Sequence, residues 1–245
     1  MKSLIQRGLF VVLLLVVAMP ADAQRRRSGS DGVTFRAYPM LGATTSQIEG
    51  DYLKGFKKWG FTAGVGAQMY FGDSDRWSLS VEADFAQRGT AEYSRSAEVP
   101  YNVDGLTLNY VDVPLTFHFT DPWGGIMVGV GVVYSRLVNQ PHGTIAYSPT
   151  YVEPDTTDMS FLRNDFAIAG DLRFSLWRNL MLNLRVQYSL IPVKKGWTFV
   201  EHITANDSEP PKVTVNDCYN FSIGVRLIYM LGESPSGSSS HRKRR

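Results

Sequence analysis

The sequence predicts an all-β chain: an eight-stranded antiparallel up-and-down barrel that crosses a membrane. Three observations carry this. Eight stretches alternate apolar with small or polar residues. Their connections alternate between short turns and long polar loops. Almost all the charged residues within the stretches fall on one of the two rows. Period two is the signature of a strand, and stretches of this length suit tilted strands crossing about 25 Å of hydrocarbon.

The first stretch, Thr34 to Ile48, has a weak phase and contains Pro39. In the second, Trp59, Phe61, Ala63, Val65, Ala67, Met69 and Phe71 oppose Thr62, Gly64, Gly66, Gln68 and Tyr70. In the third, Trp77, Leu79, Val81, Ala83 and Phe85 oppose Ser78, Ser80, Glu82 and Asp84. The fourth runs from Leu106 to Phe119, and its start is in the opposite phase (Leu106, Leu108, Tyr110), which predicts a bulge or bend near Tyr110. The fifth is Ile126 to Leu137, the sixth Asp165 to Leu176 and the seventh Leu180 to Leu190. The eighth, Tyr219 to Leu231, sets an unbroken apolar row against Asn220, Ser222, Gly224 and Arg226. It is expected to close the barrel against the first. Short turns at Gly72–Asp75, Asp121–Gly124 and Arg178–Asn179 are made of turn formers. The stretches 49–58, 90–105, 139–164 and 192–217 read as long loops. Short turns on one side and long loops on the other are the pattern of bacterial outer-membrane barrels, with short turns and both termini periplasmic and long loops extracellular.

Of the 245 residues, 44% are hydrophobic and 20% charged, and the mean hydropathy of −0.14 excludes a helical membrane protein. Residues 1–23 read as a signal peptide: Lys2 and Arg7, the apolar run Leu9–Met19, then Ala21-Asp22-Ala23. Residues 24–33 are a basic segment containing Arg25, Arg26 and Arg27, 34–231 the barrel, and 232–245 a flexible basic tail. The single cysteine, Cys218, allows no intrachain disulfide and reads as a small apolar residue at a strand start.

Alternation alone leaves open which row faces lipid, and charge decides it. Arg or Lys in lipid costs roughly 2–4 kcal/mol at the midplane. The row with Glu82, Asp84, Asp112, Asp165, Asp171, Arg173, Arg185 and Arg226, with Arg36 added, therefore faces the lumen. An eight-strand barrel is just wide enough for side chains to fill, so these groups are expected to pair into a polar core without a continuous pore.

The ordered motifs resemble the PorT-like outer-membrane β-barrel family of Bacteroidota, small OmpA-like eight-stranded barrels. The resemblance rests on Gly42–Phe61, on Glu82 followed by Gly89, on Tyr110-Val111-Asp112-Val113-Pro114-Leu115, on Asn164-Asp165-Phe166 and on Arg185 with Tyr188, and covers about residues 33 to 231. It implies an eight-stranded barrel in the outer membrane. Some members of that family belong to the type IX secretion machinery; nothing in these motifs singles those members out.

The lumen charges read as salt bridges that seal the barrel, against the alternative of a proton or ion path or a gate. Loop aromatics Tyr147, Tyr151, Trp197 and Phe199, with Phe161, read as exposed contacts for a second envelope protein or a surface glycan. The other expected partner is outer-membrane lipid. No cofactor, metal or nucleic acid is expected, since no His pair has ligand spacing and no phosphate loop is present. His118 with Asp112 is the lone lumen candidate for a hydrolase, without a nucleophile motif. The functional expectation is a non-enzymatic structural, surface-interaction or assembly-accessory role. The alternatives are a small-solute channel, a soluble ligand-binding barrel and an outer-membrane hydrolase.

Overall fold

The structure, a computed structural model, describes residues 33–72, 75–91, 105–122, 125–139, 141, 152–154, 160–201 and 212–232. The expected signal peptide, the arginines at 25–27, Tyr147, Tyr151 and the tail beyond Gly232 lie outside the described residues.

Among the described residues ten strands form, in chain order β1 (Thr34–Glu49), β2 (Lys58–Phe71), β3 (Trp77–Thr90), β4 (Leu106–Thr120), β5 (Ile126–Leu137), β6 (Val152–Pro154), β7 (Asn164–Trp177), β8 (Leu180–Ser189), β9 (Lys194–Glu201) and β10 (Lys212–Tyr229). Eight of them close a barrel in the order β1-β2-β3-β4-β5-β7-β8-β10, all antiparallel. Closure is the pairing of β1 with β10, from Met40↔Ile228 to Glu49↔Tyr219. Every backbone group of a closed sheet can pair with a neighbour, which is the condition for placing strands in hydrocarbon.

Each predicted apolar row faces outward. Leu41, Val130, Ile168 and Leu227 are among the exposed side chains, whereas Glu82, Asp171, Arg173 and Arg226 are buried in the lumen. On β5 the outward row from Ile126 to Tyr134 covers about 27 Å along the strand at about 3.4 Å per residue. A tilt of about 40° reduces this to about 20 Å along the axis, close to the apolar band of an outer-membrane barrel. Aromatic pairs lie at both ends of the rows, Trp77–Phe119 at the short-turn end and Tyr134–Phe166 at the long-loop end.

The lumen is narrow enough to require glycine opposite large side chains. Tyr38 pairs across the strands with Gly66, and His118 with Gly129. A Cβ at either glycine would lie 2.4 Å from the facing ring. The small residues of the inward row are therefore the room into which aromatic and charged side chains fold.

Three expectations are corrected. No bulge occurs near Tyr110. The β3–β4 ladder keeps one register from Trp77↔Phe119 to Thr90↔Leu106, interrupted only around Pro114, which has no N–H to donate. Leu106, Leu108 and Tyr110 share the inward row with Asp112 and are fully buried. The lumen itself changes from polar to apolar at this level. Nor is 192–217 wholly a loop. β9 continues beyond β8 and pairs with the first part of β10, from Lys212↔Glu201 to Cys218↔Lys194, so this hairpin rises past the barrel. Cys218 lies at the bulge within β10, not at a strand start.

Candidate functional site

The lumen is built in layers, and the central one is ionic. Glu82 stands on β3; Arg173, Arg185 and Arg226 reach it from β7, β8 and β10 on the opposite wall. Arg173 Nη2 donates to Glu82 Oε1 at 2.6 Å, and Arg185 Nη1 and Arg226 Nη1 donate to Oε2 at 2.8 and 3.1 Å. The Tyr38 hydroxyl donates to Oε1 at 2.8 Å. Asp171 accepts two bonds from Arg185, Nε to Oδ1 at 2.6 Å and Nη2 to Oδ2 at 2.9 Å. This bidentate geometry is the strong form of an Arg–carboxylate contact. Arg173 is held further by Gln68 Oε1 at 3.0 Å and lies over the Tyr38 ring, and Arg226 Nε donates to Asn183 Oδ1 at 2.7 Å. With so many charge-assisted partners, the arrangement offsets a desolvation cost that an isolated buried pair would not recover.

A second group lies toward the long loops. Arg88 is paired with Asp112, and its guanidinium sits over the Tyr110 ring. Arg88 Nη2 also donates to Gln187 Oε1 at 3.2 Å. Asp84 accepts from Thr62 Oγ1 at 3.1 Å and is the cross-strand partner of Asp112. Oδ1 of each of these two carboxylates has no hydrogen-bond partner among the described residues. Both line a cavity of about 20 Å³, room for about one water molecule.

Above and below, the lumen is apolar. Ile48, Leu106, Leu108, Val193, Trp197 and Phe199 belong to one cluster at the long-loop end. Met40, Tyr70, Met127, Met181 and Met230 belong to another at the short-turn end. Trp197 and Phe199 are each 1% exposed, and Phe161 is buried against Trp197. This overturns their expected place as exposed loop contacts. The alternation of β9 turns both rings inward, where they cap the barrel.

The other predicted positions divide. Glu82, Asp171, Arg173, Arg185 and Arg226 come together, while Asp84 and Asp112 belong to the upper group. Arg36 joins neither. Its guanidinium donates to the carbonyls of Met230, Leu231 and Gly232 and to Asn179 Oδ1 at the short-turn end. His118 faces Asp171 at 3.3 Å and not Asp112. Arg88, Tyr38 and Gln68 were missed. The signal for Arg88 was present, since it keeps the parity of Glu82 and Asp84 along β3.

Chemically, the arrangement holds its charged groups buried and paired. His118 is fully buried. Among the described residues, no group of three or more His, Cys, Asp or Glu could hold a metal ion.

A closed antiparallel barrel with an apolar outer surface and a charged interior defines a small outer-membrane β-barrel protein. The model of the outer membrane protein beta-barrel domain matches residues 9–228, and the chain belongs to that family. Its place is the bacterial outer membrane. Among solved structures, the chain is similar to Neisserial surface protein A, with TM-score 0.45 and 11% identity over 81% of this chain and 98% of that one. It is similar to Ail, the attachment invasion locus protein of Yersinia pestis, with TM-score 0.37 and 12% identity over 80% and 98%. Likeness to OprG from Pseudomonas aeruginosa has TM-score 0.28 and 15% identity over 82% and 96%. No curated protein matches the chain.

Proposed function

We propose that this is a sealed, non-enzymatic barrel that works through its rim and loops and not through its lumen, as a surface-interaction or assembly-accessory protein of the outer membrane. The observation that carries the reading is the contact of Glu82 with Arg173, Arg185 and Arg226 from the opposite wall, all four buried. A solute path needs a gap where these side chains meet. The apolar cluster around Trp197 and Phe199 forms a second barrier. The short turns and both termini face the periplasm and the long loops face outward, in keeping with the loop-length rule for such barrels. The ordered motifs resemble those of the PorT-like barrels, which supports membership of that group, and the long loops are the surface proposed for an envelope protein or a glycan. Two measurements test this. Planar bilayers containing the purified protein are expected to show no conductance above baseline; discrete openings would sink the sealed-barrel reading in favour of the solute channel. A cysteine at exposed Lys195 (Lys195→Cys) is expected to react with an impermeant maleimide on intact cells, and reaction only after lysis would reverse the orientation.

A further inference from the structure

The connection between β1 and β2 is pinned in place yet leaves a hollow. Gly50, Tyr52 and Gly55 have φ of +96°, +64° and +93°. Tyr52 lacks the freedom of glycine, so its left-handed backbone is strained and must be held by its surroundings. Several contacts do so. Asp51 Oδ1 accepts from the Leu53 amide at 2.9 Å and Gln47 Oε1 from the Gly55 amide at 3.1 Å. Asn216 Nδ2 donates to the Gly50 carbonyl at 3.1 Å, and Thr45 Oγ1 to that of Phe56 at 2.6 Å. Phe56 packs edge-on against Phe221, and Tyr52 against Phe199. Between these fixed points lies a cavity of about 420 Å³, bordered by Gln47, Glu49, Tyr52, Lys54 and Asn216. That volume falls within the range of about 300–1,000 Å³ typical of small-molecule sites.

Its position restricts the ligand. Gln47 and Glu49 stand on the outward row of β1, opposite Phe221 and Tyr219 of β10. Tyr188 lies beside both of these rings, and its hydroxyl donates to Glu49 Oε2 at 2.9 Å. Such an aromatic belt marks the membrane–water boundary. The hollow therefore lies at the rim, level with the headgroups, and is bordered also by Ile48 of the inward row.

We propose that this hollow holds a sugar ring of the glycolipid that forms the outer leaflet. The inference rests on the outward orientation of the long loops. Hydroxyls of a pyranose both donate and accept, and the border offers both: the Gln47 amide nitrogen, the Asn216 side-chain carbonyl and the Glu49 carboxylate. The half-exposed Tyr52 ring supplies a face for the sugar's C–H side. Lys54, exposed at the mouth, meets a phosphate or carboxylate substituent on such a sugar. One acid and one base border the hollow, a balance that suits a substituted sugar better than a simple anion.

The test uses the full chain in phospholipid nanodiscs with and without rough lipopolysaccharide. Hydrogen exchange at the amides of 50–57 is expected to slow when the glycolipid is present. The double variant Tyr52→Asn/Lys54→Glu keeps a residue that tolerates positive φ and is expected to retain about tenfold less lipopolysaccharide through purification. Its heat-modifiable gel migration reports that it still folds. Equal exchange with and without the glycolipid, or wild-type retention by the folded variant, overturns the proposal. Protection by the released core oligosaccharide but not by the membrane-bound glycolipid puts the ligand in solution and overturns the lipid assignment. Where Lys195→Cys labels on intact cells and no protection is seen, this inference alone fails. Labelling only after lysis removes the orientation on which it rests.

Discussion

Replacing Glu82 by glutamine keeps the shape of the side chain and removes one charge at the centre of the barrel. Glu82 accepts four hydrogen bonds, from Arg173, Arg185, Arg226 and the Tyr38 hydroxyl. The three to arginine are charge-assisted, at about 1.5–3 kcal/mol each. A full loss would thus reach about 5–9 kcal/mol. Glutamine keeps one acceptor oxygen, and Asp171 still binds Arg185 and Arg173, so part of the network survives. Breaking one partner of a buried ion group typically costs about 3–5 kcal/mol. Glu82→Gln is therefore expected to lower the unfolding free energy in lipid vesicles by about 3–5 kcal/mol, read from urea titrations of heat-modifiable migration. Replacing Arg226 by methionine in the same chain removes one of the two cations left in surplus over Asp171 and is expected to return part of that loss. A Glu82→Gln protein within about 0.5 kcal/mol of wild type, the scatter of a neutral surface change, would refute the argument that charge pairing holds the lumen.

Three further perturbations follow from the geometry. Asp84→Asn removes a like charge directly opposite Asp112 and leaves an amide able to donate to it, so stability is expected to rise by about 0.5–1 kcal/mol in the same titration; a fall would mean that the Asp84 charge is needed. Gly129→Ala would place a Cβ 2.4 Å from His118 Cδ2, and the packed ring leaves little room to yield. A loss of about 1–3 kcal/mol is expected, and wild-type stability would show that the ring moves freely. Trp197→Ala opens the apolar cap, with an expected loss of about 3–5 kcal/mol, and exposes the fully buried Cys218 thiol. Maleimide labelling of the native variant is expected to be fast where wild type is slow, and equal rates would place the cap elsewhere.

The strands and their faces were legible because both signals are local. Val128, Val130 and Val132 against Gly129 and Gly131 can be read without knowing any neighbour, and the cost of charge in lipid then assigns the rows. The pairing within the lumen was not legible. Which arginine meets Glu82 depends on β3 standing across the barrel from β8 and on a register that no single strand encodes. Arg36 shows the limit. It shares the inward row with the network but lies too near the short-turn end to reach it, and it binds the chain leaving β10 instead. Leu106, Leu108 and Tyr110 were misread for a different reason. Apolar residues on an inward row look like a change of phase when the lumen is taken to be polar throughout. Their parity with Asp112 was the available sign of an unbroken strand. Trp197 and Phe199 repeat the error in the loop region, where alternation interrupted by Gly196 was too short to read as a strand.

The layers also bear on why the charges are there at all. An apolar lumen of the same width could pack with little desolvation cost, and the methionine layer near Met127 and Met181 does so. But a chain apolar on both faces of every strand would carry no signal for which face belongs inside. A one-residue slip exchanges the two rows of a strand. Such a slip in β3, β7, β8 or β10 would carry Glu82, Arg173, Arg185 or Arg226 into lipid, at roughly 2–4 kcal/mol for each arginine near the midplane. It would also leave partners on the opposite wall unpaired. The ionic layer thus discriminates against wrong registers more strongly than it stabilises the right one, and a wall-to-wall contact that sets register must also close the lumen. On this argument the proposed sealing of the interior is a consequence of how the barrel specifies itself, which is in keeping with the proposal that the rim and loops make its contacts.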